Sequence, residues 1–129
     1  FAPTRLSGVG FGMGDVTIRD FIDSHGLIPM LPASADVFVT MFDESGQESS
    51  RELARHMRQS GLRAISQIEP AKLGKQFKWA AQCRIPIVAI QGPDELVSQQ
   101  VSLKNMVTGE QVTVLVSESV MTIRRWLGI

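Results

Sequence analysis

Cysteine is all but missing from this 129-residue chain: Cys83 stands alone, which excludes a disulfide framework and any zinc site built from several thiolates. Histidine is nearly as scarce. His25 and His56 are the only two, and with Cys83 they show no recognisable metal-ligand spacing, so no metal site is expected. No apolar run approaches the roughly 20 residues of a membrane span. A charged-then-apolar leader with a small-residue cleavage site is absent as well. Net charge is zero, thirteen basic residues against thirteen acidic, so the overall balance argues neither for nor against an acidic partner. A reducing, cytoplasmic setting is the expectation. The chain opens at Phe1 rather than Met, which points to a piece of something longer.

What is present is ordinary globular composition, 43% hydrophobic and 20% charged, enough for one domain's core and incompatible with wholesale disorder. Residues 1–34 are punctuated by glycine and proline and hold one clear helix. From Ala35 onward, apolar strands alternate with amphipathic helices, the pattern of an α/β layer fold. The boundary Leu27-Ile28-Pro29-Met30-Leu31-Pro32-Ala33-Ser34 suits an extended linker, since neither residue before a proline favours helix.

In the opening segment, Gly8-Val9-Gly10-Phe11-Gly12-Met13-Gly14 predicts a strand with side chains on one face and bare backbone on the other. Asp15 is expected to cap the helix that follows, with Ile18, Phe21 and Ile22 on one face and Gly26 as its stop. Further on, Val37 to Phe42 is nearly all apolar, as in a strand buried on both faces. Ser49 and Glu52 have capping-box spacing for a helix that ends at Gly61. Residues 63–68 predict a weaker strand, and Pro70 precedes a helix with Leu73, Phe77, Ala80 and Ala81 on one face. Residues 86–90 predict a third strand, followed by a turn at Gly92-Pro93-Asp94. Two alternating runs, Val101/Leu103 and Val112/Val114/Val116, flank a hairpin turn at Thr108-Gly109-Glu110, and a last helix carries Val120, Ile123 and Leu127. The expected fold is thus α/β: a five-stranded mixed sheet with three flanking helices, preceded by a short strand-helix appendage.

Zero net charge conceals an asymmetry. Residues 51–84 carry eight basic side chains against Glu52 and Glu69, a local charge of +6, and the rest of the chain carries −6. Lys72, Lys75, Lys78 and Gln82 fall together on one helix face, with Trp79 on the same polar side. Cations beside an aromatic ring suit single-stranded nucleic acid, phosphate to ammonium and base to ring. A solvated helix face, with Trp79 lying against a neighbouring element, accounts for the same pattern.

Catalytic constellations fail one by one. The glycines of residues 8–14 do not fit Gly-x-Gly-x-x-Gly, because Met13 and Asp15 stand where the third glycine is needed, and no Gly-Lys-Ser/Thr follows. Cys83 has no histidine placed to act as its base and reads as a small core residue. The pairs Asp43/Glu44 and Asp94/Glu95 sit in turn-rich sequence, where cap chemistry explains them. No catalytic residue is assigned.

Several stretches, in order, carry a resemblance. Ala35-Asp36-Val37-Phe38-Val39, Glu52-Leu53-Ala54 and Arg58-Gln59-Ser60-Gly61-Leu62-Arg63 are followed by Leu73-Gly74-Lys75-Gln76-Phe77-Lys78-Trp79-Ala80. Then come Ile85-Pro86, Ile90-Gln91-Gly92-Pro93-Asp94-Glu95 and Val101-Ser102-Leu103-Lys104 with Asn105 to Gln111. Residues 35–129 resemble the C-terminal anticodon-binding domain of class II aminoacyl-tRNA synthetases, specifically the histidyl-tRNA synthetase family. Val9-Gly10-Phe11-Gly12-Met13-Gly14 is similar to motif 3 of the catalytic domain, which makes residues 1–28 its tail and 29–34 a linker.

That resemblance implies binding of the anticodon loop of histidine tRNA, with Glu95 and Lys104 at base-reading positions and Lys72, Lys75, Lys78 and Trp79 as further RNA contacts. Gly10, Gly12 and Gly14 become remnants of an ATP site. The longer protein would be a homodimeric cytoplasmic ligase using ATP and Mg²⁺, binding neither membrane nor DNA, with this piece itself free of cofactor and not catalytic. Where the family continues Glu-Arg-Leu after motif 3, this chain has Asp15-Val16-Thr17, so the phosphate-gripping arginine is missing. That departure suits a rival reading, a non-catalytic synthetase-like RNA sensor or accessory subunit. A small flavodoxin-like or nucleotide-binding domain is the other rival, but no phosphate loop follows the first buried strand.

Overall fold

The computed structural model describes residues 7–28 and 32–129. It divides into two compact units, Phe1–Pro32 and Ala33–Ile129. Part of the expected linker, residues 29–31, and the first six residues of the expected catalytic-domain tail lie outside the described residues.

The described part of the first unit is coil over residues 7–14 and one helix, α1 (Asp15–Ser24). The strand expected over residues 8–14 does not form. A strand needs a neighbour to pair its N–H and C=O groups, and the alternating glycine pattern cannot supply one by itself. Gly14, not Asp15, is the N-cap residue of α1; Asp15 sits in the first turn, its carboxylate accepting from the Val16 N–H at 2.9 Å. The helix ends as expected at Gly26, whose φ of +63° turns the chain back so that Leu27 N–H reaches the Ile22 carbonyl at 2.9 Å.

The second unit runs β1 (Val37–Val39), a 3-10 turn (Glu44–Gly46), α2 (Gln47–Gln59), β2 (Ala64–Ser66), α3 (Leu73–Gln82), β3 (Ile87–Ile90), α4 (Pro93–Val97), β4 (Gln100–Asn105), β5 (Gln111–Leu115) and α5 (Val116–Leu127). The sheet order is β2-β1-β3-β4-β5; the first three strands are parallel, and β4 and β5 are added antiparallel. Because the chain leaves β1 toward one side through α2 and returns past it through α3, crossovers of one hand put these helices on opposite faces. The apolar clusters follow. Val37, Val39, Ile87, Ala89, Val101 and Leu103 pack on one face against Leu53 and Met57 of α2 and Ile123 of α5. Phe38 and Val88 pack on the other against Ala80 and Phe77 of α3.

Four helices flank this sheet, not three. Gly92-Pro93-Asp94, expected as a turn, instead starts the short α4, with Pro93 at its first position, where the missing N–H costs nothing. The capping box expected at Ser49 is also displaced. Asp43 takes over, accepting from the Gly46 N–H at 3.0 Å, so helical structure begins earlier and Ser49 lies inside α2. Val116, expected as the end of a strand, opens α5.

The end of β1 is held by side chains from both layers. Thr40 N–H still pairs with the Ala89 carbonyl at 2.9 Å. The Thr40 carbonyl then accepts from Ser50 Oγ of α2 at 2.8 Å. On the opposite side, the Gln76 amide of α3 pairs with Met41 as a strand would: Oε1 accepts from Met41 N–H at 3.0 Å and Nε2 donates to the Met41 carbonyl at 2.7 Å. Nε2 also donates to the Ala71 carbonyl at 2.6 Å. Gln76 and Met41 are both buried, so these groups have no water to fall back on. Replacing Gln76 by Leu strands three backbone groups, and urea denaturation is expected to show a loss of roughly 2–4 kcal/mol. A loss under about 1 kcal/mol would mean that the freed groups find other partners.

At the other end of β1, the Asp36 carboxylate accepts from Arg63 N–H at 2.8 Å and Arg63 Nε at 3.2 Å, fixing the register of β1 against β2. Burial pushes the Asp36 carboxyl up, but the Arg63 hydrogen bonds and charge together outweigh it and hold it below its usual value. A depressed carboxyl stabilises the fold above its unfolded value of about 4 and loses that contribution as pH falls through the folded value. Asp36→Asn is therefore expected to lower Tm at pH 7, with the gap to the parent closing below about pH 4. A gap that persists into acid would assign the effect to packing rather than charge.

Candidate nucleic-acid interface

α3 covers the sheet over β1, β2 and β3 and stops there. On that face of β4 and β5 lie Ser102, Lys104, Gln111 and Thr113, alternating with Val101, Leu103 and Val114, which pack into the opposite cluster. Along this strip Gln111 and Thr113 on β5 are exposed, whereas on β4 Lys104 is half-buried and Ser102 is buried.

The strip collects polar side chains. Glu95, in the first turn of α4, bends back so that Oε2 accepts from the Gly92 N–H at 3.1 Å and Oε1 from Ser102 Oγ at 3.4 Å. Ser102 in turn shares a 2.8 Å hydrogen bond with Thr113 Oγ1 across the β4–β5 register. Glycine is required at position 92 for this arrangement, since a Cβ there would come within 2.9 Å of Glu95 Oε2. Two residues along β4 from Ser102, about 7 Å away on the same face, Lys104 holds its Nζ 5.2 Å from the centre of the Phe77 ring of α3. No ion pair joins Glu95 to Lys104 among the described residues. An acceptor carboxylate, an exposed and a buried hydroxyl, and a half-buried ammonium thus lie along one sheet face.

Glu95 and Lys104 are therefore brought together, but the remaining expected contacts spread out. Gln76 and Ala80 are the buried centre of α3. At 100° per residue, Phe77 lies on the flank toward β4, Lys78 on the crest, and Lys75 and Trp79 on the opposite flank. Trp79 packs its ring 5.0 Å from that of Phe38 and lines a shallow groove with Ile65 and Ile68, leaving only 40% of its surface exposed. Trp79 thus packs against a neighbouring element on one side and keeps an exposed side. Lys72, the N-cap residue of α3, lies on the Trp79 flank too.

Much of the +6 stretch is used within the fold. Arg63 pairs with Asp36, Arg55 with Glu52 at 2.8 Å, and Arg58 donates to the Ala64 carbonyl at 3.0 Å. Lys72, Lys75 and Lys78 have no ion-pair partner among the described residues. Gly10, Gly12 and Gly14 stand exposed in coil, and a Cβ built at Gly10 or Gly12 meets nothing within 4 Å. Cys83 packs beside the α3 cluster. Asp43 caps a turn, and hydrogen bonds from Ser45 and Gly46 hold its carboxyl below the usual value.

Ser102, Thr113 and Phe77 are the members of the strip that sequence reasoning missed. Ser102 carried a usable signal, since strand alternation puts it on the same face as Lys104. Thr113 carried none, because its pairing with Ser102 depends on the register between two strands.

A family model described as the anticodon binding domain matches residues 36–126. The histidine–tRNA ligase of Leptospira biflexa is 31% identical over 128 residues, 99% of this chain and 29% of that protein. That of Porphyromonas gingivalis is 40% identical over 113 residues, 86% of this chain and 25% of that protein. Among solved structures, the histidyl-tRNA synthetase of Nostoc sp. PCC 7120 superposes with a TM-score of 0.76 at 31% identity, covering 87% of this chain and 27% of that one. The chain thus spans under a third of the length of these relatives. With a mixed five-stranded sheet, helices on both faces and a match over residues 36–126, the chain belongs to the anticodon binding domain family.

Proposed function

We propose that this chain is the tRNA-selecting part of a histidine–tRNA ligase and receives the anticodon loop of histidine tRNA on the β4–β5 strip. The observation that carries this reading is that Glu95, through its contact with Ser102, meets the β4–β5 face on which Lys104 also lies. A carboxylate accepts from the amino and imino groups of a base edge, and an ammonium donates to its carbonyl and ring-nitrogen acceptors. Unstacked loop bases expose both kinds of edge. Lys78, on the crest of α3 beside the strip, takes a phosphate of the loop backbone, while Lys72, Lys75 and Trp79 serve the flanking RNA. Phosphate contacts hold the RNA and base contacts select it.

Joining histidine to its tRNA with ATP and Mg²⁺ belongs to the rest of a homodimeric cytoplasmic ligase. Residues 1–28 are its catalytic-domain tail, with Gly10, Gly12 and Gly14 left from the ATP site. Gly10 and Gly12 stand in exposed coil, where an added Cβ meets nothing within 4 Å, so by themselves they form no cradle for ATP. Asp15-Val16-Thr17, lacking the motif 3 arginine, favours a second reading, a non-catalytic relative that senses RNA.

Fluorescence anisotropy at low salt, comparing the histidine-tRNA anticodon stem-loop with one of scrambled anticodon, separates these readings. The ligase reading expects preference for the cognate loop and loss of most of that preference in Glu95→Ala, roughly 10-fold for one well-made base contact. Equal binding of both loops by the parent chain would favour the RNA sensor instead. Lys78→Ala should weaken both loops alike and lower the salt slope by about 1. If Lys75→Ala lowers the slope while Lys78→Ala does not, the RNA runs over the Trp79 flank and the strip is not the site.

A further inference from the structure

We infer that Ser102 and Thr113 are positioning residues for base discrimination, acting through Glu95 by a directed hydroxyl relay. The inference rests on the assignment of Glu95 as a base-reading carboxylate. A carboxylate only accepts hydrogen bonds, so where Ser102 Oγ meets Glu95 Oε1 the serine must donate. A hydroxyl has one proton. Either oxygen can donate in the 2.8 Å contact between Ser102 and Thr113; when the serine proton goes to Glu95, that contact runs from the threonine hydroxyl to the serine oxygen. The relay then runs from Thr113 to Ser102 to Glu95.

Glutamate has three side-chain torsions, the last of them broad. The Gly92 N–H fixes one carboxylate oxygen at 3.1 Å, which leaves the carboxylate plane free to turn about that anchor. Ser102 holds the second oxygen and so sets the plane. A base edge offers its donors at a fixed spacing and angle, and a plane already set meets them without the cost of ordering it on binding. The Ser102–Glu95 separation of 3.4 Å is long for an O–H···O bond, so it adds little to folding stability, and its hold on the carboxylate is read from discrimination rather than from Tm. Thr113 is exposed at the middle of β5, and on loss of its hydroxyl the buried Ser102 Oγ keeps its contact with Glu95.

The experiment measures affinity of the full chain for cognate and scrambled anticodon stem-loops in Ser102→Ala, Thr113→Val, Thr113→Ser and Glu95→Ala, and in the double variant Ser102→Ala/Glu95→Ala. Thermal unfolding and the salt slope are followed in each. Ser102→Ala and Thr113→Val are expected to cut the cognate-to-scrambled ratio by roughly 3- to 10-fold, the range of one lost hydrogen bond, with Tm and salt slope unchanged. Thr113→Ser keeps the hydroxyl and the ratio. The double variant discriminates no worse than Glu95→Ala alone, because the serine acts only through the glutamate.

If Glu95→Ala loses discrimination while Ser102→Ala and Thr113→Val keep it, the relay is wrong and the Glu95 assignment stands. If Glu95→Ala also keeps it, both fall together. A lowered salt slope, or equal weakening of both loops, would make the hydroxyls direct backbone contacts and overturn their positioning role.

Discussion

The peptide groups of Thr40 and Met41, just past the last paired residue of β1, are the point at which all three layers of the domain are joined. β1 is only three residues long and central in the parallel part of the sheet. Beyond it the backbone keeps one ladder bond, to Ala89, and the next polar groups are met by Ser50 from one helix layer and Gln76 from the other. A short buried strand can end inside a protein only if its last amides find partners there. The Gln76 side chain does this with a donor and an acceptor in strand-like spacing, and so fixes both the depth and the rotation of α3. One residue further along α3, the rotation of that helix determines where Phe77 points. Phe77 in turn lies under the Lys104 ammonium. A buried core amide and the half-buried Lys104 ammonium are therefore connected through two adjacent residues of one helix.

Legibility in the sequence followed how local each cause was. β1 and β3 were readable because a strand buried on both faces needs a continuous apolar run, and β5 because one covered face imposes alternation. The alternation carried one residue too far at Val116, which packs against the same cluster from the first turn of α5. Gly92-Pro93-Asp94-Glu95 suits either a turn or a helix start; only the return of the Glu95 carboxylate to the Gly92 N–H decides between them, and spacing does not reveal which way a side chain bends. The strand expected over residues 8–14 failed for the opposite reason. Its pattern was sound, but a strand is a property of two segments, and the partner is not in the described residues. At the site, Glu95 and Lys104 were found through resemblance, whereas Ser102, Thr113 and Phe77 are common residue types whose meaning comes from register and packing.

Charge was the least transferable signal. Counting along the chain gives +6 over residues 51–84. In space, Arg63 secures the register of β1 and β2, Arg58 ties the end of α2 to the start of β2, and Arg55 is matched by Glu52. An arginine whose planar fork is engaged by carboxylates and carbonyls still contributes field, but it does not reach out to a phosphate. The lysines of α3 differ, since they stand out in solvent on a helix whose other face is pinned by Gln76. A linear tally of basic residues thus overstates the RNA footprint by including the cations that build the domain.

On the proposed reading, the same distinction accounts for a carboxylate on the strip that receives RNA. Near phosphates, Glu95 is electrostatically unfavourable for every loop, and the α3 lysines supply attraction that does not depend on sequence. A loop whose base offers donors to the carboxylate recovers the cost through charge-assisted hydrogen bonds; one that offers acceptors meets like partial charges and leaves a desolvated oxygen pair unmatched. Discrimination then arises more from the penalty on wrong loops than from extra affinity for the right one. Such a penalty is sharp only if the carboxylate cannot swing aside. Its two oxygens are held by the Gly92 N–H and by Ser102, and a side chain at position 92 would push into one of them. Rigidity at Glu95 is therefore the physical condition for selectivity on this face, and the short α4, the glycine before it and the hydroxyls of β4 and β5 meet that condition together.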